Sequence, residues 1–91
     1  MGKGGNMKPT DKQLSMIGYL CRGESGGVIK NKLPKNNEKY PDSRADYSGQ
    51  ILLDFIEDNL TRQEASYIIG KMLDYDFVSV ERTLKNKGLK I

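Results

Sequence analysis

Few groups in this chain could carry covalent or acid–base chemistry. Its 91 residues include one cysteine, Cys21, and no histidine. A thiol nucleophile needs a neighbouring base or a strong positive field. Cys21 falls instead on the apolar side of a helical pattern, where a thiol acts as a small buried hydrophobe. Asp54, Glu57 and Asp58 could form an acid–base pair, but neighbouring acids on an outward helix face more often only solvate it. No catalytic residue is expected, and the chain reads as non-enzymatic.

Metal and cofactor chemistry is equally thin. One cysteine and no histidine make no zinc set. Asp74 and Asp76 flank Tyr75 like the start of a calcium loop, but the loop's sixth-position glycine and twelfth-position glutamate are missing. They read as solvated acids at a helix end. Gly23, Gly26 and Gly27 lack the preceding strand and the Lys-Ser/Thr pair of a phosphate loop. No metal and no cofactor are expected.

Binding chemistry remains. Lys30, Lys32, Lys35 and Lys39 fall in one stretch, and Arg82, Lys85, Lys87 and Lys90 at the C-terminal end. Flexible cations neutralise phosphates without reading bases. Tyr40 and Tyr47 could stack on unpaired bases. The net charge of +3 is segregated: residues 45–81 carry −6, residues 22–44 carry +3 and residues 82–91 carry +4. One reading is a bipolar surface that docks a polyanion, and the other is an ordinary solvated surface. The acids Asp54, Glu57, Asp58, Asp74 and Asp76 offer an alternative, a face that docks a basic, nucleic-acid-binding protein. Val28, Ile29, Leu33, Tyr40 and Tyr47 either anchor a protein partner or cover the core.

These side chains must be positioned by helices. Thr10 and Gln13 make a capping box for a helix over 11–22, whose apolar face is Leu14, Ile17, Gly18 and Cys21. Residues 23–43 hold prolines, glycines and asparagines that break regular structure, so a long basic loop is expected, with Lys30–Lys39 projecting and Val28–Leu33 extended or in a hairpin. Ile51, Leu52, Phe55, Ile56 and Leu60 mark a helix from about Asp46 or Ser48 to Asn59, with Asp54, Glu57 and Asp58 outward. Thr61 and Glu64 form a second capping box, followed by Ala65, Ile68, Ile69, Met72 and Leu73 at full helical spacing. Gly70 weakens this helix and either admits a neighbouring backbone or is a tolerated surface glycine. Phe77, Val80 and Leu84 fit a helix over 76–86, although 77–80 also suits a strand.

The two capped openings, Thr10-Asp11-Lys12-Gln13 and Leu60-Thr61-Arg62-Gln63-Glu64-Ala65-Ser66, resemble a small two-helix module of short bacterial and bacteriophage proteins. Its pattern is T-x-x-Q followed, after an insert, by L-T-x-x-E-A-S. In some phage proteins the module resembles a tail appended to DNA-handling enzymes. The match covers under a third of the chain, and the insert over 23–59 departs from the short form. The resemblance implies a phage or mobile-element origin and a DNA-related role, and supplies no catalytic residue.

The chain is therefore expected to be mainly α: a disordered tail over 1–8, then a compact domain of three to four helices over 9–91. The first helix should pack on the Thr61–Asp74 helix, with Ile17 and Cys21 meeting Ile69 and Met72 or Leu73. With no apolar run long enough for a membrane and no secretory signal, a cytoplasmic monomer is expected. The expected function is that of an accessory or regulatory protein contacting nucleic acid through the basic loop and tail. The alternative is a protein-binding inhibitor of a host or defence enzyme, of anti-CRISPR type.

Overall fold

Thr10 stands in extended conformation and its hydroxyl accepts from the Gln13 amide, while the Gln13 carboxamide accepts from the Thr10 amide. Two of the four unpaired amides at this helix start are thereby satisfied. In the computed structural model, which describes residues 7–22 and 29–91, this box opens α1, Asp11–Leu20. Three more helices lie wholly within the described residues: α2, Ser48–Asn59; α3, Arg62–Leu73; and α4, Phe77–Asn86. The expected helix ran to Arg22, but residues 21 and 22 form a turn.

The chain is mainly α, and no strand occurs among the described residues. Segment 77–80 is helical because Asp76 caps it. The Asp76 carboxylate accepts from the Ser79 amide at 3.1 Å and the Ser79 hydroxyl at 2.7 Å. These two local bonds outweigh the strand preference of Phe and Val. The same capping role replaces the expectation that Asp76 is merely a solvated helix-end acid.

In the core, α1 packs on α2 and α3, and α3 packs on α4. Ile17, Leu52, Ile56, Ala65, Ile68, Val80 and Leu84 are completely buried, and Cys21 and Met72 nearly so. Each large apolar side chain so buried contributes roughly 1.5–3 kcal/mol before conformational entropy is charged against it. The radius of gyration, 12.8 Å, is close to the roughly 12 Å of a folded chain of this length. Leu73 departs from the expected core: it is 58% exposed, and Ile68 and Met72 face inward. No helix among the described residues is long and apolar enough to cross a membrane.

Over residues 29–47 the stretch between α1 and α2 does not form the projecting loop that its composition suggests. Residues 23–28, with Val28 and the three glycines discussed above, lie outside the described residues. From Ile29 onward the chain is tied down. Ile29 and Lys30 are helical, and the amides of Lys32 and Leu33 donate to the carbonyls of Ile29 and Lys30, so the extended or hairpin form is absent from 29–33. Ile29 is fully buried and Leu33 nearly so. The Asn36 carboxamide donates to the carbonyls of Asp42 and Ala45, and the Tyr47 amide donates to the Lys35 carbonyl at 2.7 Å. The two apolar anchors seat the segment in the core, and these polar bonds close it on itself.

Residues 1–6 of the expected tail also lie outside the described residues. Met7 and Lys8 are bonded: the Arg62 amide donates to the Met7 carbonyl at 2.6 Å, and the Arg62 guanidinium to the Lys8 carbonyl at 3.3 Å. Gln13 donates to the Arg62 carbonyl at 3.1 Å. The two capped helix starts, at Thr10 and Thr61, are therefore side by side.

Candidate functional site

Helix α4 carries Val78, Glu81, Arg82 and Lys85 at offsets of zero, three, four and seven, which places them on one face. Lys32 reaches this face from the segment before α2. Together with Asn86 these side chains line a cleft of about 430 Å³. The cleft holds three cations and one acid. Glu81 organises it: the Lys32 ammonium donates to both carboxylate oxygens at 2.9 Å, and the Lys85 ammonium lies 3.3 Å from one of them. The hydrogen bond from Lys32 and the attraction of Lys85 hold the Glu81 carboxyl below its ordinary range, against some desolvation. Arg82 is exposed and makes no ion pair among the described residues. The cleft therefore has a surplus of positive charge and one uncommitted guanidinium, the group best suited to bidentate phosphate contact.

The other cations expected at the site are dispersed. Lys39 pairs with Asp54 at 3.1 Å, beside Tyr40, whose hydroxyl donates to the same oxygen at 2.6 Å. Gln50 donates to the other Asp54 oxygen. Partial desolvation raises the Asp54 pKa, but these three donors together lower it below the ordinary value. Tyr40 is itself stacked on Tyr47, ring centroids 5.0 Å apart and planes 17° from parallel. The two rings expected to take unpaired bases are thus stacked on each other. Lys87 pairs with Glu64 at 2.6 Å, next to the α3 capping box. Lys30 packs its side chain against Gly49, and Lys35 and Lys90 are exposed.

Among the acids of the alternative face, Asp54 is engaged as described rather than turned outward, its side chain only 22% exposed. Asp76 caps α4. Glu57, Asp58 and Asp74 are exposed. Cys21 is buried, and burial pushes its thiol from 9.0 up to about 11, despite the opposing field of Lys30. At neutral pH it stays a protonated, poorly nucleophilic thiol. It borders a smaller cavity of about 160 Å³ between α1 and α2, with Lys30 and Arg22 at its edge.

Reading by composition missed Glu81, Val78 and Asn86. The first two were available from spacing once α4 was taken as helical, since they share the Arg82–Lys85 face. The contribution of Lys32 was not, because it depends on how the preceding segment returns to α4.

No family model, curated protein or solved structure matches the chain. The likeness to the two-helix module rests on its motif residues alone.

Proposed function

We propose that this is a small non-catalytic accessory or regulatory protein that contacts nucleic acid through the α4 cleft. The observation that carries the reading is the convergence of Lys32, Arg82 and Lys85, from segments some fifty residues apart, on one cleft with a single acid. Phosphate groups would bind there by charge and by the Arg82 fork, without base-specific contacts. The burial of the single cysteine supports the non-catalytic part of the reading. A protein partner docked on the acidic faces is less well supported, because Asp54 and Asp76 already accept internal hydrogen bonds.

The test is an anisotropy titration of a labelled oligonucleotide with the wild type and with Arg82→Ala and Lys85→Ala variants. Binding that weakens in both variants supports the reading. Binding indifferent to both, or no binding by the wild type, rejects it.

A further inference from the structure

The ends of α3 and α4 close with the same hydrogen-bond pattern, built on different residues. After α4, the Gly88 amide donates to the Lys85 carbonyl and the Leu89 amide to the Leu84 carbonyl, with Gly88 at φ 107°. After α3, the Tyr75 amide donates to the Met72 carbonyl and the Asp76 amide to the Lys71 carbonyl, with Tyr75 at φ 58°. This left-handed position is ordinarily filled by glycine, sometimes by asparagine. For a bulky side chain it is an outlier. Tyr75 recovers nothing through burial: it is 79% exposed and makes no side-chain hydrogen bond among the described residues. A strained residue whose ring is presented to solvent points to a use for that ring.

Its place in the chain indicates the use. Tyr75 precedes the α4 cap, and Val78, three residues on and at most about 10 Å along the chain, lines the cleft while 68% exposed. From Val78 the cleft follows α4 past Arg82 to Lys85. The exposed Val78 thus stands at one end of a cationic track, and the Tyr75 backbone, itself outside the cleft lining, lies within about 10 Å of that end. A duplex offers such a track phosphates but keeps its base faces stacked. A single strand offers both phosphates and a free base face, and stacking on an aromatic ring tolerates any base.

Resting on the reading above, we propose that the cleft selects single-stranded over duplex nucleic acid, with Tyr75 as the platform for one unpaired base and Arg82 and Lys85 on the adjoining phosphates. The test uses labelled oligo-dT and a duplex of equal length with the full chain. The wild type should bind the single strand more tightly. Tyr75→Gly relieves the backbone, so the variant should unfold at no lower a temperature than wild type. It should nevertheless lose about 5- to 150-fold in affinity for oligo-dT, with duplex affinity unchanged. Tyr75→Phe should restore single-strand binding.

Unchanged oligo-dT affinity in Tyr75→Gly, or equal wild-type affinity for both ligands, overturns the proposal. If Arg82→Ala weakens binding in that same case, the phosphate reading survives and only the stacking role falls. If the wild type binds neither ligand, as it would were this face made for a protein, both fall.

Discussion

The salt dependence of binding distinguishes a compact cleft from a diffuse basic surface. Each phosphate contacted on a single strand contributes about −0.7 to the slope of log K against log salt. The cleft offers Lys32, Arg82 and Lys85, so full engagement predicts a slope of about −2.1 and roughly an 18-fold loss of affinity between about 50 and 200 mM salt. Removing one cation, as in Arg82→Ala, should reduce the slope to about −1.4 and the loss to about sevenfold. All eight cations of the central segment and the C-terminal end, acting together, would instead give about −5.6 and a loss of roughly 2,000-fold.

Glu81 adds a second handle on the same assay. Its carboxylate already accepts from Lys32 and lies beside Lys85, so an incoming phosphate must compete with it. At an assumed separation of about 6 Å in water, repulsion between Glu81 and a phosphate charge is about 0.7 kcal/mol, or roughly threefold in affinity. Glu81→Gln should therefore tighten binding by about that factor. Anisotropy titrations at four or so salt concentrations give both slopes and the Glu81→Gln affinity. A wild-type slope near −5.6, a slope untouched by Arg82→Ala, or weaker binding in Glu81→Gln would refute the cleft as the site of contact.

Three further outcomes test the fold that holds the cleft. Ile29 is fully buried, so Ile29→Ala should cost about 3 kcal/mol and lower the melting temperature by roughly 12–24 °C; a change of only a degree or two would mean that the segment does not pack as described. Gly70 is exposed in mid-helix and a methyl group there meets nothing within 4 Å, so Gly70→Ala should stabilise by up to about 1 kcal/mol, read as a rise in the denaturant midpoint. The carboxyls of Asp46, Asp54, Glu64, Asp76 and Glu81 are all held below their ordinary values. The unfolded chain therefore binds more protons near pH 4, and stability should be full above about pH 4.5 and fall as the pH drops further. The buried Cys21 thiol has the opposite sense: raised from 9.0 to about 11, it contributes stability present below about pH 9 and lost as the pH climbs towards 11. Melting temperatures from pH 2 to 11 should trace both limbs, with the alkaline one flattened in Cys21→Ala.

What the sequence disclosed depended on how local each determinant is. The start of α3 was legible because Thr61, Glu64 and the apolar positions from Ala65 to Met72 lie within twelve residues and agree with one another. Leu73 misled because it continues the periodic pattern one position beyond the face that α1 and α4 cover. Across 77–80 the strand preference of Phe and Val competed with a cap whose strength was not visible, since it depends on the Ser79 hydroxyl turning back to Asp76. The path of 29–47 was not legible, because one carboxamide reaching two backbone carbonyls, one tyrosine pair and two apolar anchors fix it without any period. The basic residues look like one set because they are neighbours in sequence. Folding sorts them by their acids instead: Lys39 to Asp54, Lys87 to Glu64, and Lys32 with Lys85 to Glu81.

The same sorting separates the residues that specify the fold from those proposed to act. Thr10, Gln13, Thr61 and Glu64, which carry the likeness to the two-helix module, are all occupied in capping boxes. Gln13 further joins the two helix starts through the Arg62 carbonyl, and Glu64 holds Lys87. None of them lines the cleft, and Lys32, Tyr75, Arg82 and Lys85 all lie outside the two motif segments. A chain sharing only the motif would thus share a way of starting and joining two helices, with no constraint on what the α4 face presents. Exchanging Lys32, Arg82 and Lys85 for neutral residues should accordingly remove binding while leaving both capping boxes intact. The loss of the Lys32 tether to Glu81, a surface ion pair whose side chains are 44% and 18% exposed, would cost only about 1 kcal/mol. If that triple variant unfolded instead, the cleft would prove to be part of the scaffold, and its cations would have to be explained by packing before any ligand was invoked.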